Sequence, residues 1–227
     1  MNELVSSSLF FGFVLSLGAY EIGLLLKKKF KFAFLNPLLF SVVFVILFLV
    51  VFDIDYEVYK ESANVLTWLL TPATISLAVP LYEELKVLKE HPFAIIIGIL
   101  CGVLASLGGV FLISLAFGLN KTEYVTLLPK SVTTAIGMPL SSEYGGYSSI
   151  TVAAIIITGI FGNIIAETVI KLFRIKSSVA KGVAIGTASH AIGTSKAVEL
   201  GRVEGAVSSL SFVIAGIVTI IMFGIVV

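Results

Sequence analysis

The residues that could perform chemistry in this chain gather in two short segments of an otherwise apolar sequence. The first, at residues 128–137, places Lys130 beside the hydroxyls of Ser131, Thr133 and Thr134. A charge at membrane depth costs ~2.5 kcal/mol or more, so such a lysine usually faces a cavity or a partner. An ammonium among hydroxyl donors is typical of a site for a small anion. The alternative is that Lys130 extends to the membrane interface and that the hydroxyls satisfy backbone groups.

Pro129 gives this segment a predicted backbone break. A proline has no N–H and cannot continue an incoming helix. Because proline suits the first turn of a helix, we expect a half-helix to begin there, with Lys130 near its N-terminus. That end of a helix carries partial positive charge and would add to the attraction for an anion.

The second segment, residues 182–196, combines small residues with polar ones. Gly182 and Gly186 form a GxxxG pattern, which is typical of close helix packing. Packing does not account for the polar residues, which are Thr187, Ser189, His190, Thr194, Ser195 and Lys196. A histidine titrates near physiological pH and could couple transport to protons. The alternative is a histidine that is hydrogen-bonded across helices.

The remaining candidates lie on the apolar stretch at residues 150–173. Asn163 is expected to bond across helices or to line the same cavity. Glu167 precedes Lys171 by four residues, which favours an ion pair on one helix face. The sequence contains no motif for metal binding, hydrolysis or nucleotide hydrolysis, so we expect no metal, no cofactor and no enzyme.

The composition indicates that lipid, rather than water, surrounds most of the chain. Of the 227 residues, 58% are hydrophobic and 13% are charged, and the mean hydropathy is +1.09. A soluble domain carries about 25% charged residues. These values exclude a soluble enzyme domain, a DNA-binding module and a single-anchor protein with a large head. The net charge of +1 gives no field that would attract nucleic acid.

The sequence therefore predicts an all-α polytopic integral membrane protein with about seven to eight membrane segments, some broken or re-entrant. We expect a single transmembrane domain over residues 1–227, with N-terminal helices in 4–119 and the motif-bearing half in 120–227. The region 124–140 is expected to be re-entrant, the alternative being a full crossing. The other predicted segments are 4–26, 32–52, 64–79, 93–119, 150–173, an interrupted 179–200, and 205–227.

Positive charge predicts the orientation of these segments. Lys27, Lys28, Lys29 and Lys31 form the densest cluster, which places their loop in the cytoplasm and the N-terminus outside. No cleavable signal peptide is visible, so the first helix is expected to be a retained anchor. A second cluster, residues 171–181, lies inside only if 124–140 is re-entrant.

A short internal similarity relates the two halves of the chain. Residues 72–79 (PATISLAV) align with residues 129–136 (PKSVTTAI) at an offset of 57 positions. Repeats with broken helices at matching places are typical of transporters. The alternative is a chance alignment of eight residues of biased composition.

Longer motifs carry a resemblance to a known family. They are LPKSVTTAIG at 128–137, Gly145-Gly146, GVAIGTASHAIGT at 182–194 and EGAVSSL at 204–210. In this order and spacing the chain resembles the LrgB/CidB family over essentially its whole length. Bacterial members of that family are named antiholin-like proteins, and they are paired with a small holin-like partner and linked to murein hydrolase activity and lysis. A plastid relative carries glycolate and glycerate, and bacterial members are linked to pyruvate uptake.

Two functions follow from this resemblance. We expect a secondary transporter of small 2-hydroxy or 2-oxo monocarboxylates in the cell membrane, with proton or sodium coupling and a homodimeric assembly. Lys130, Ser131, Thr133 and Thr134 would hold the carboxylate, while Thr187, Ser189, His190, Thr194 and Asn163 would face it. The alternative is an antiholin-like regulator of murein hydrolase activity that acts with a holin-like partner. An oligomeric pore is a third, weaker class, since no strongly amphipathic helix is present.

Overall fold

The computed structural model describes residue 8 and residues 10–30, 36–76 and 78–227. The first residues of the predicted segments 4–26 and 32–52, together with Lys31 and Leu77, lie outside the described residues. All regular secondary structure in the described part of the chain is helical. An α-helix satisfies its backbone hydrogen bonds within one segment, as a lipid environment requires.

The chain divides into two compact units, Met1–Ser76 and Leu77–Val227. In the first unit, Ser62 accepts a hydrogen bond from the Gly12 backbone (2.9 Å), and the hydroxyls of Ser16 and Tyr59 lie 2.8 Å apart. These polar contacts join the first helix of the unit to the third. The helices of this unit are α1 (Phe11–Phe30), α2 (Pro37–Val51), α3 (Tyr56–Ser62) and α4 (Asn64–Ser76).

The second unit contains both polar segments. Its helices are α5 (Ala78–Glu83), α6 (Leu85–Glu90), α7 (Pro92–Phe117), α8 (Lys121–Leu127), α9 (Thr134–Glu143), α10 (Ser148–Leu172), α11 (Ser178–Leu200) and α12 (Arg202–Val226). The helix α11 packs against α7, α10 and α12. It is therefore the central element of this unit.

Among the described residues, three helices are long and apolar enough to cross a membrane: α7, α10 and α12. They match the predicted segments 93–119, 150–173 and 205–227 to within about three residues, as expected for helix ends. The shorter apolar helix α2 falls within the predicted segment 32–52. The all-α, polytopic membrane architecture is confirmed.

The backbone conformation differs between Pro72 and Pro129, the two prolines that align in the internal similarity. Pro72 lies inside α4, whereas Pro129 lies in a turn between α8 and α9. A proline inside a helix removes one backbone hydrogen bond but need not end the helix when the neighbouring turns continue. The helix break at Pro129 therefore has no counterpart at Pro72, as matching broken helices of a transporter repeat would require.

The seam between α11 and α12 depends on glycines. A Cβ at Gly186 would lie 2.5 Å from the Ser208 carbonyl oxygen, and one at Gly182 would lie 2.7 Å from Val207 Cβ. The predicted GxxxG packing is thus observed. Close approach of the two backbones brings hydroxyl groups of α11 and α12 within hydrogen-bonding distance, because no side chain separates them.

Replacing Gly186 with alanine should destabilise the protein by about 1–3 kcal/mol, because the added methyl group forces the two helices apart. The measurement is unfolding in mixed detergent micelles at increasing denaturant. The matched control is Gly108→Ala on α7, where a Cβ meets no atom within 4 Å. That control should retain wild-type stability or gain slightly from helix propensity. Equal stability of the two variants would contradict the conclusion that close packing of α11 and α12 requires Gly186.

Candidate functional site

The first polar segment is a turn between two short helices. The helix α8 ends at Leu127, and α9 begins at Thr134 after its N-cap residue Thr133. The Lys130 N–H donates to the Leu127 carbonyl (3.1 Å) within the turn. The prediction that a half-helix begins at Pro129 is wrong, because the backbone turns there and becomes extended only at Thr133, a preferred N-cap type.

A buried hydroxyl cluster anchors this turn to α10. The Thr151 hydroxyl lies 2.9 Å from the Thr126 carbonyl and 2.7 Å from Ser141 Oγ. The Thr126 hydroxyl accepts from the Tyr147 N–H (2.8 Å). All three hydroxyl side chains are buried. The turn is therefore held at both ends, through α8 and α9, by one residue of α10.

Lys130 lies among hydroxyl groups. Its Nζ donates to Ser131 Oγ at 3.0 Å and reaches Ser106 Oγ of α7 at 3.5 Å. The Ser106 hydroxyl also donates to Ser131 Oγ, at 2.9 Å. The hydroxyl proton of Ser131 then remains free to point elsewhere, since its oxygen already accepts both bonds.

The charge of Lys130 has no counter-ion among the described residues, whose ion pairs all involve other cations. Lys196 of the second segment behaves differently. Its Nζ lies 2.6 Å from a Glu167 carboxylate oxygen and 3.0 Å from one of Glu199. The predicted pair of Glu167 with Lys171 also forms, at 3.2 Å. Of the two lysines in the polar segments, only Lys130 is left to attract an external anion.

The second segment breaks at His190. This residue has φ 42° and ψ −142°, a conformation that side-chain-bearing residues rarely adopt, and it divides α11 into two half-helices. The expectation of an interrupted segment at 179–200 is confirmed. Gly186, His190 and Gly193 do not share one helical face, because the helix does not continue through His190.

Side chains from α10 and from α11 itself bind backbone carbonyls next to this break. His190 Nε2 donates to the Ile155 carbonyl at 3.1 Å, so the Nε2–H tautomer is the one present in a neutral ring. The Thr194 hydroxyl donates to the His190 carbonyl (2.9 Å) and lies 2.8 Å from Ser208 Oγ. Asn163 donates to the Ile192 carbonyl at 3.0 Å. These side chains replace bonds that a continuous helix would supply itself.

The two segments meet at a small cavity of about 10 Å³, the size of about one water molecule. Ser131 of the first segment and Thr187 of the second both line it, together with Ser106 of α7 and Thr219 of α12. Ile155 provides a further link, since its carbonyl binds His190 and its side chain lies against Gly137. Two segments that are distant in sequence thus form one polar centre.

A larger groove reaches this centre from the surface. It has a volume of about 410 Å³, lies between α7 and α11, and extends from His91 and Ser177 to Gly102 and Thr187. Thr187 lines both the groove and the small cavity. Its side chain is therefore the boundary between them.

The other candidate residues occupy different places. Thr133 and Thr134 are half-buried at the start of α9. Ser189 is buried against Gly162 of α10. Asn163 and Thr194 contact the broken backbone of α11, and His190 contacts the Ile155 carbonyl of α10, rather than Lys130. In the described part of the chain, no group of three or more His, Cys, Asp or Glu residues could hold a metal ion.

Sequence reasoning missed Ser106, Thr219 and the Thr126–Ser141–Thr151 cluster. Ser106 and Thr219 are lone hydroxyls in apolar runs, Thr126, Ser141 and Thr151 lie in ordinary mixed sequence, and hydroxyl residues in helices commonly bond their own preceding turn. The only signal available was the position of Ser106 within a long apolar run. Its contact with Lys130 is set by tertiary packing.

Comparison with known proteins covers both segments. The model of the LrgB-like family matches residues 16–227. This chain belongs to that family. The antiholin-like protein LrgB of Bacillus cereus (strain B4264) is 38% identical over 214 residues, which cover 94% of this chain and 93% of the relative. The protein of the same name from Bacillus anthracis (strain A0248) matches to the same extent.

No solved structure matches this LrgB-like chain. The residues matched by the family model include the Lys130 turn, the His190 break and Ser208 of α12, which contacts Thr194. The polar centre therefore lies wholly within the part of the chain that the family model covers.

The backbone strain at His190 is testable. Replacement by alanine removes the bond to Ile155 and keeps the strained conformation, whereas glycine removes the bond and the strain together. We expect His190→Gly to be more stable than His190→Ala by about 1–3 kcal/mol, the cost of such a conformation. Denaturant unfolding in micelles measures the difference. Greater stability of the alanine variant would contradict a strained backbone conformation at residue 190.

Proposed function

We propose that this protein is a secondary transporter of small 2-hydroxy or 2-oxo monocarboxylates, of the pyruvate or glycolate type. The observation that carries the proposal is the Lys130 ammonium, which has two hydroxyl partners and no carboxylate partner among the described residues. A cation in such a site attracts an anion strongly, because the surroundings screen charge poorly.

The broken helices support transport over a purely contact-based role. Irregular backbone at membrane depth is tolerated where it is buried in protein or lines a cavity. The described part of the chain has breaks at residues 128–133 and at His190, and Ser131 and Thr187 bring them to one cavity. A regulator that works through its surface needs neither break.

The proposed roles follow from position. Lys130, Ser131, Thr133 and Thr134 would bind the carboxylate, and Thr187, Ser189, His190, Thr194 and Asn163 would form or support the facing wall. The cavity beside Ser131 admits about one water molecule, so substrate entry requires it to widen. Movement of Thr187 would join it to the α7–α11 groove.

Uptake into liposomes tests the site. Purified protein should accumulate labelled pyruvate or glycolate, and Lys130→Ala should weaken apparent affinity about 10- to 100-fold through loss of a charge-assisted hydrogen bond. Lys121→Ala, which removes an exposed lysine at the start of α8, is the matched control and should transport normally.

Three outcomes separate the possibilities. Loss of uptake in Lys130→Ala alone, with normal elution on gel filtration, supports the site. Normal uptake by Lys130→Ala rejects the site assignment and leaves transport intact. Failure of the wild type to take up any small carboxylate rejects the transport function.

The α7–α11 groove gives a second test of transport. A Cβ at Gly98 lies 3.0 Å from Val183 Cγ1, so a leucine there would fill the groove. Gly98→Leu should slow uptake while equilibrium binding of substrate to the solubilised protein persists. Gly109→Leu, at a position with no atom within 4 Å of a Cβ, is the control and should transport as the wild type does. Unchanged uptake by Gly98→Leu would exclude this groove as the route.

A second candidate function is regulation of murein hydrolase activity together with a holin-like partner. The observation that favours it is the name of the curated relatives, antiholin-like protein LrgB. Tight binding of a holin-like protein by a wild type that transports no carboxylate would support this function. Transport by purified protein in the absence of any partner would show that the partner is not required for it.

Orientation, coupling and assembly are part of the same proposal. We infer residence in the cell membrane with the N-terminus outside, coupling to protons or sodium, and a dimer. A cysteine introduced at Ser142 and labelled from each side would show whether residues 124–140 are re-entrant. Imposed pH and sodium gradients during uptake would identify the coupling ion.

A further inference from the structure

A basic groove lies where α10 passes into α11. It has a volume of about 360 Å³ and is lined by four cationic side chains, one carboxylate and aliphatic residues that include Ile170 and Ile175. The cations are Lys171, Arg174, Lys176 and Lys181. Neither the Lys130 site nor the α7–α11 groove shares a residue with it.

Two of the four cations have carboxylate partners. Glu167 contacts Lys196 at 2.6 Å and Lys171 at 3.2 Å, and Glu204 lies 3.7 Å from Lys181. Arg174 and Lys176 form no ion pair with any carboxylate of the described residues and are exposed. The groove therefore presents uncompensated positive charge.

The backbone around Arg174 is built in an unusual way. The Ile175 N–H bonds the Ile170 carbonyl (2.9 Å) and the Arg174 N–H bonds the Lys171 carbonyl (3.2 Å), which is a Schellman closure of α10. The left-handed residue in that closure is usually glycine, but here Arg174 occupies it at φ 53°. The chain thus accepts backbone strain to place a guanidinium beside the groove.

The depth of the groove in the membrane follows from the length of α10. Its 25 residues span about 37 Å at 1.5 Å per residue, whereas the hydrocarbon core is about 30 Å thick. Its ends therefore reach the headgroup level. Leu172 and Phe173, next to the groove, are 72% and 70% exposed, as expected for side chains that contact lipid.

We propose that this groove binds the phosphate of an anionic phospholipid headgroup, such as phosphatidylglycerol. Arg174 and Lys176 contact the phosphate, and Ile170 and Ile175 contact the adjoining apolar part of the lipid. Basic pockets between membrane helices bind anionic headgroups in this way. The exposed apolar side chains beside the groove favour a lipid over a free phosphate ion.

Native mass spectrometry of the detergent-solubilised full chain, titrated with phosphatidylglycerol or phosphatidylcholine, tests the site. The wild type should retain phosphatidylglycerol in preference. Arg174→Gln combined with Lys176→Gln should weaken that affinity about 30-fold, the effect of two cations near a membrane surface. Lys86→Gln with Lys89→Gln removes the same charge from exposed positions of α6 and should bind as the wild type does.

A third variant separates binding from folding. Arg174→Gly should raise the Tm in lipid-free detergent, because glycine relieves the left-handed strain, and should still weaken phosphatidylglycerol binding. Undiminished binding by the double glutamine variant, or equal weakening in the Lys86/Lys89 control, overturns the proposal. Inorganic phosphate that displaces phosphatidylglycerol and stabilises the protein as well as the lipid does would identify a free-anion site and also overturn it.

Discussion

The structure of the second unit depends on one constraint: a broken helix within lipid has no water to bind its free backbone groups. At the break, the Thr194 hydroxyl binds the His190 carbonyl and Asn163 of α10 binds the Ile192 carbonyl, while the His190 ring binds the Ile155 carbonyl of α10. These bonds require helices that approach closely. Small residues on α10, α11 and α12 permit that approach, so the glycine pattern and the polar centre are parts of one arrangement.

Because no water is available, the charges of the two lysines in the polar segments must be stabilised by protein groups, and these groups differ between the two. Lys196 lies between two carboxylates and contributes a compact ion-pair cluster near the ends of α10 and α11. Among the described residues Lys130 has only hydroxyl partners, which solvate an ammonium without neutralising it. A protein that needed the turn only for packing would gain by replacing this lysine with an uncharged residue, because the desolvation penalty would disappear. Retaining the charge is consistent with a site for an anion.

Some of this arrangement could be predicted from the sequence. A long apolar run is stable in lipid as a membrane-spanning helix, so the positions of α7, α10 and α12 were predictable to within a turn. The gathering of hydroxyls around Lys130 and of small residues around His190 also marked the two segments that meet at the cavity beside Ser131 and Thr187. The start of α9 was predicted wrongly because a proline marks where a helix stops more reliably than where the next one begins. Ser106 and Thr219 could not be found, since a lone hydroxyl in an apolar helix acquires a role only from its packing partners.

The composition of the centre around Lys130 also bears on which molecules it rejects. In the described part of the chain its polar lining consists of hydroxyls and one ammonium, with no carboxylate beside them. An amino acid of the same size as a 2-oxo acid carries an additional ammonium group, which would find no counter-ion there and would be repelled by Lys130. Under the proposed function, the centre would thus discriminate by charge between alanine and pyruvate, two molecules that shape alone would barely distinguish.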